Sequence, residues 1–252
     1  MKIRTEDGKL SVKNIVGRRT LRIIRAVLAV IIFISIANRC IYPWNSDVPP
    51  LFYFTVQSNL LCALFWLWSA FFPDKRNPKI TLAITTYIAI TGVIFVVFLD
   101  YGFTETIYTK LGHNEISDVV HYYSMIGSII THYAVPFLAV IDYLLFTEEG
   151  GSKPTFKTML YPLAYSIFAV LFTLFTEKYI YPFYNPEAAG GLPVVLLIAA
   201  VIFLIFYFVN RGLFRLNGVV QYKADRYYKK LLCEAVEPQE EHPQNRQSSK
   251  VQ

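Results

Sequence analysis

LPVVLLIAAVIFLIFYFV, Leu192–Val209, runs for 18 residues without a charge, and its reading decides the fold. A helix of about 20 mostly apolar residues crosses the roughly 30 Å of bilayer hydrocarbon. A surface helix of a soluble domain would carry a polar face instead. Outward from this run, five further stretches have the same character: Leu21–Cys40, Phe52–Phe72, Ile80–Asp100, Ser124–Phe146 and Met159–Thr176. The first is the weakest, because it carries Arg22, Arg25, Asn38 and Arg39; the fifth is short and contains Pro162. Backbone groups cannot stay unpaired in lipid, so the runs are expected to be helices. The expectation is an all-α polytopic bundle of six transmembrane helices. Composition agrees, with 54% of residues hydrophobic and only 17% charged, the charges gathered between the runs.

Lys and Arg set the orientation of such a bundle, since cytoplasmic loops are the basic ones. Lys2, Arg4, Lys9, Lys13, Arg18, Arg19, Lys75, Arg76, Lys79, Lys153 and Lys157 fall on one side with eight cations after Val209. Arg39, Lys110 and Lys178 fall on the other. Both termini are therefore expected in the cytoplasm of a cell, and a bacterial inner or plasma membrane fits the pattern. The net charge of +6 is read as orientation and contact with anionic lipid, not as nucleic-acid binding. An alternative takes Arg18, Arg19, the run from Ala26 to Ile34 and Ser35-Ile36-Ala37 as a cleaved signal peptide. The long basic segment before the run fits an uncleaved first helix better.

The expected organisation is a basic cytoplasmic arm over 1–19, a membrane domain over 20–211, a juxtamembrane amphipathic segment over 212–236 and a disordered tail over 237–252. The amphipathic segment mixes Val219, Val220, Tyr227, Leu231 and Leu232 with Lys223, Arg226, Lys229 and Lys230, a composition suited to lying on a leaflet. The tail is rich in Gln, Glu, Pro and Ser. Tyr42, Trp44, Tyr53, Trp66, Trp68, Phe71, Phe72, Tyr179, Tyr181, Phe183 and Tyr184 stand at the span ends, where the plain reading is an anchoring belt. Cys40, Cys62 and Cys233 form no C-x-x-C, and four histidines are scattered, so no metal site and no cofactor is expected.

Polar residues inside apolar spans are informative, because lipid-facing helices have no need of them. Thr55, Ser58, Asn59 and Cys62 follow i, i+3, i+4, i+7 spacing and share a face of the second span. His121, Ser124, Ser128, His132, Ala139 and Asp142 form a second stripe on the fourth. Both spans run in the same direction, and the simplest packing turns both stripes inward. The bland reading is interhelical hydrogen bonding and close packing, and for the serines it is the stronger one. His132 is the histidine at depth, and a neutral imidazole both donates and accepts. Asp142 lies ten residues further on, about 15 Å along a helix, too far to orient His132. Asp100 is better placed for that, although a solvated helix end is its simpler reading. Arg39 can snorkel to headgroups or hold a substrate carboxylate.

The segments Phe52-Tyr53-Phe54-Thr55-Val56-Gln57-Ser58-Asn59-Leu60-Leu61, Thr131-His132-Tyr133-Ala134-Val135-Pro136-Phe137 and Tyr181-Pro182-Phe183 occur in this order. With the six spans, they resemble bacterial six-helix relatives of the androgen-induced and androgen-dependent membrane hydrolases, over about residues 20–210. The resemblance implies a multi-pass threonine hydrolase acting on lipid esters, notably fatty acid esters of hydroxy fatty acids. It implies Thr55 as nucleophile and His132 as base. In the animal sequences the proline stands one residue further from the histidine than Pro136 does here. A threonine hydroxyl needs a base within reach, and His132 would take its proton and return it to the leaving alcohol. Asn59 or Ser58 would help to stabilise the oxyanion. The expected partners are membrane lipids and a lipid ester substrate.

Two other classes fit the same stripes. A transporter or channel for a small or lipidic solute would use them as a pathway, and a non-catalytic scaffold would use them for packing. Transporters favour repeated halves or broken helices with paired intramembrane charges, and neither is evident in the sequence.

Overall fold

The computed structural model describes residues 17–41, 48–99, 125–147 and 156–236. Among these residues the chain is helical, and six helices are long and apolar enough to cross a membrane. We label them α1 (Arg18–Ile41), α2 (Phe54–Phe71), α3 (Pro78–Ile94), α4 (Met125–Phe146), α5 (Leu160–Thr176) and α6 (Leu192–Val236). The chain is a multi-pass helical bundle whose large apolar side chains also cover its outside, as Ile34, Phe137, Phe175 and Phe208 do. In water such a surface would aggregate; in lipid it is solvated.

Helix ends follow local chemistry. Asn77 caps α3 by accepting from the N–H groups of Lys79 (2.9 Å) and Ile80 (3.4 Å), with Pro78 at the first helical position. Pro162 sits in the first turn of α5, where its missing N–H costs no helical bond. α5 stops at Glu177, which adopts a left-handed conformation at φ 57°.

Packing centres on α2 and α3. α1 lies along α2, with Ala29 and Ala63 fully buried between them, and small residues let two backbones approach. α3 packs on α4 and α6. Apolar association is weak as a driving force inside lipid, so polar cross-links matter. Asn210 of α6 donates to Thr86 Oγ1 of α3 at 2.7 Å and accepts from Thr158. Asn217 donates to the Tyr143 and Thr147 carbonyls at the end of α4. Each such bond contributes about 0.6–2 kcal/mol.

α6 differs from expectation in one respect. The segment assigned above to 212–236 is not separate from the last span: Leu192–Val236 is one continuous 45-residue helix, with no Pro or bend at the boundary. The arm over 1–16 and the tail over 237–252 lie outside the described residues, as do Tyr42 and Trp44.

The feature that shapes the site is in α4. Ile130–Ala134 form a π-helical turn, in which the Val135 N–H reaches back to the Ile130 carbonyl. Pro136 explains it. Proline has no N–H to offer the His132 carbonyl four residues back, and its ring clashes with that carbonyl in a regular α-helix. Widening the turn relieves the clash. Gly92 of α3 meets this point: a Cβ there would lie 3.1 Å from His132 O and 3.0 Å from Pro136 Cβ. Glycine is thus required where α3 presses on the turn that carries His132.

Candidate functional site

Thr55 lies in the first turn of α2, where N–H groups have no helical acceptor. Two tyrosines from outside the helix take them. Phe54 N–H donates to Tyr165 Oη at 2.9 Å, and Thr55 N–H donates to Tyr181 Oη at 3.3 Å. The Thr55 hydroxyl lies 3.2 Å from the same Tyr181 oxygen. Burial pushes the Tyr181 phenol up from its ordinary value, with the Thr55 hydrogen bonds acting the other way. The Tyr181 oxygen thus accepts from the Thr55 N–H and shares a hydrogen bond with the Thr55 hydroxyl in which either oxygen can be the donor; with Tyr181 as donor, the threonine's own hydrogen is available to a base.

His132 sits on the π turn of α4. Its Nδ1 lies 2.8 Å from the Ser128 carbonyl, an acceptor, so Nδ1 carries the proton and Nε2 has the free lone pair. The ring packs on Phe95, 4.0 Å between centroids. Phe95 opens a second π-helical stretch, Phe95–Leu99, that continues α3.

Thr55, Val56, Asn59, Arg39, Ser128, His132 and Tyr181 line one cavity of about 330 Å³. The two inward stripes meet there, as the spacing predicts. Thr55 and His132 share the cavity without bonding each other directly; among the described residues the threonine hydroxyl engages Tyr181 and the imidazole engages α4 itself.

The supporting residues divide. Asn59, fully buried, donates its amide to the Thr55 carbonyl (2.8 Å) and the Thr131 carbonyl (3.1 Å), tying the threonine's turn to the histidine's. Both of its N–H groups are thereby engaged with backbone carbonyls, so a role as oxyanion donor would require one of these bonds to open. Its Oδ1 is buried without a hydrogen-bond partner among the described residues, a free acceptor beside the cavity. Ser58 does not line the cavity; its hydroxyl bonds Thr91 Oγ1 at 2.8 Å and binds α2 to α3. The donor left over in the first turn is the Val56 N–H, for which no partner is found among the described residues. Arg39 is at the cavity wall. Asp100 lies outside the described residues.

Tyr181 and Tyr165 are the site residues that sequence reading misses. Tyr181 was assigned to the interfacial belt, yet it is 8% exposed and clamps Thr55. Tyr184 is likewise buried, whereas Tyr179 is exposed as a belt residue should be. Trp66 is a second correction: it is 2% exposed and donates Nε1–H to Asp142 Oδ2 at 3.2 Å.

A separate polar centre stands at the other end of α4. Asp142 receives Arg25 Nη2 at 2.8 Å and Arg76 Nη2 at 2.6 Å, with all three side chains buried. Paired charges within the helices are therefore present, contrary to the expectation above. Arg25 and Asp142 each fall in an apolar run, which was the available signal. Among the described residues no three His, Cys, Asp or Glu side chains are placed to hold a metal ion. No family model, curated protein or solved structure matches the chain, so its functional reading rests on these residues and on the motifs they form.

Proposed function

We propose that this chain is a membrane hydrolase that cleaves lipid esters with Thr55 as nucleophile and His132 as base. The observation that supports it most is the shared cavity: one wall offers the Thr55 hydroxyl, held by Tyr181, and another an imidazole whose Nε2 can take its proton. The resemblance of the surrounding motifs to the androgen-induced hydrolases points the same way.

The steps follow from these groups. His132 Nε2 takes the Thr55 proton as Oγ1 bonds to the acyl carbon, and the carbonyl oxygen gains the charge. The Val56 N–H, at the positive end of α2, is the donor available to that oxyanion. Collapse breaks the ester C–O bond, and the imidazolium returns its proton to the leaving alcohol. Water, activated by the same nitrogen, then releases the acid from Thr55. Thr55 and His132 become linked, directly or through one bridging water, when substrate fills the cavity; such bonds commonly tighten only in the complex.

The reading also includes orientation. The split of the loop cations supports both termini in the cytoplasm of a bacterial cell, with the cavity toward the opposite leaflet. On a background with Cys40 replaced, a cysteine at position 46 is then labelled by an impermeant reagent in intact cells and one at position 77 is not; the reverse pattern inverts the reading.

Hydrolysis of a lipid-ester panel by the purified full chain, with Thr55→Ala and His132→Ala beside it, tests the chemistry. Turnover and covalent labelling by a phosphonate probe are expected in the wild type and absent in Thr55→Ala. Hydrolysis that survives Thr55→Ala in folded protein refutes the nucleophile. A transporter is then preferred, because the buried Arg25–Asp142–Arg76 group and the interrupted α4 are features that solute pathways use.

A further inference from the structure

A second cavity, of about 260 Å³, lies at the opposite end of the bundle between the start of α1, the α2–α3 connection and the end of α4. Its charged lining is Arg18, Arg22, Arg25, Arg76 and Asp74. Arg25 and Arg76 are 5% and 7% exposed, and both point at Asp142. Two buried cations on one buried carboxylate leave a net positive charge where desolvation is costly. Asp74 offsets little of it: its contact with Arg18 is at 4.0 Å, and both are exposed. Arg22 spends its Nε–H on the Ala70 carbonyl at 2.6 Å, which fixes the guanidinium at the cavity wall.

Among the described residues this arrangement is short of an anion. Guanidinium groups match phosphate oxygens with paired N–H donors and lose less hydration than an ammonium. The cavity is at the level of the aromatic residues Trp68, Phe71 and Phe72, which are exposed at the end of α2, so it opens where lipid headgroups lie. We propose that it binds the phosphate of an anionic phospholipid from the leaflet on this side, and that the lipid completes the charge balance of the Arg25–Asp142–Arg76 group. The site is independent of the hydrolase reading, since it shares no lining residue with the Thr55–His132 cavity.

Competing counter-ions within the chain include Glu6 and Asp7, before Arg18, and Glu148 and Glu149, after Thr147, all outside the described residues. If they neutralise the arginines, the cavity takes no lipid phosphate. Native mass spectrometry of the full chain in detergent, titrated with phosphatidylglycerol or phosphatidylcholine of equal chain length, decides. Phosphatidylglycerol is expected to bind more tightly. Arg22→Gln, whose amide can still reach the Ala70 carbonyl, is expected to weaken phosphatidylglycerol binding about fivefold, the effect of one interfacial cation. Asp74→Asn is expected to strengthen it, a gain that misfolding cannot imitate. A second arm measures thermal stability in lipid-free detergent with inorganic phosphate against chloride at equal ionic strength. Stabilisation by inorganic phosphate without any lipid preference overturns the lipid as occupant and gives the site to a soluble phosphate. Equal binding of the two lipids, unchanged in both variants, overturns the proposal altogether.

Discussion

The cavity beside His132 and the cavity beside Arg25 both use α4 as a wall, yet they are built from different materials. Around Thr55 the polar groups are mostly neutral: a threonine, an asparagine, two tyrosines, backbone amides and an imidazole bonded to its own helix. Around Asp142 the groups are ions in close contact, at 2.6 and 2.8 Å. Dipoles can be aimed and left partly unpaired at modest cost, as Asn59 Oδ1 is. Buried ions cannot, because an unpaired one is several kcal/mol uphill. The first construction leaves groups ready to react, and the second holds helices together. Substitutions should therefore separate turnover from stability according to the end of α4 they touch.

The largest effect is expected from Thr55→Ala, with lipid-ester turnover falling at least ~1,000-fold while the melting temperature stays near that of the wild type. Thr55→Ser keeps the hydroxyl and retains part of the activity. A comparable loss of stability would break the contrast. Asp142→Ala leaves two buried cations facing each other and is expected to cost about 3–5 kcal/mol, read as a lowered midpoint of denaturation, while turnover per folded molecule is kept. His132→Ala removes the base and slows acylation at least ~100-fold, measured by phosphonate labelling. Gly92→Ala places a methyl against His132 O and Pro136, so it is expected to cost about 1–3 kcal/mol and also lower kcat, because α3 must shift off the π turn. The smallest change is Tyr181→Phe, about tenfold in kcat, since Thr55 keeps its hydroxyl and loses the partner that orients it.

The bundle was legible because apolar runs as long as Leu192–Val209 admit few other structures. That Thr55 and His132 line one cavity was legible from two helical stripes, since Ser58, Asn59 and Cys62 had to face inward as well. Tyr181 was hidden because its partner lies 126 positions away, and a tyrosine at a span end reads as an anchor whether it faces lipid or protein. The same ambiguity hid Trp66. Arg25 read as a charge that weakens the first span and Arg76 as a loop cation, and only the fold shows that Asp142 gathers both. The carbonyl partners of Asn59 were hidden for another reason: helix periodicity gives the face of a side chain but not which carbonyls take its hydrogens.

The π turn at Ile130–Ala134 has a bearing on how α4 can change. A π turn is an α-helix that has taken in one surplus residue. Each residue advances an α-helix by about 100°, so the part of α4 before the turn is set at a different angle from the part after it than an unbroken helix would allow. Deleting one residue within 130–134, with Pro136 replaced by alanine so that no ring clash returns, would let the helix close up again. Asp142 and its arginines would stay in place, while Ser128 and the imidazole would swing away from Thr55. The turn acts as an angular offset between two polar cavities on one shaft, and the length of a five-residue segment sets it.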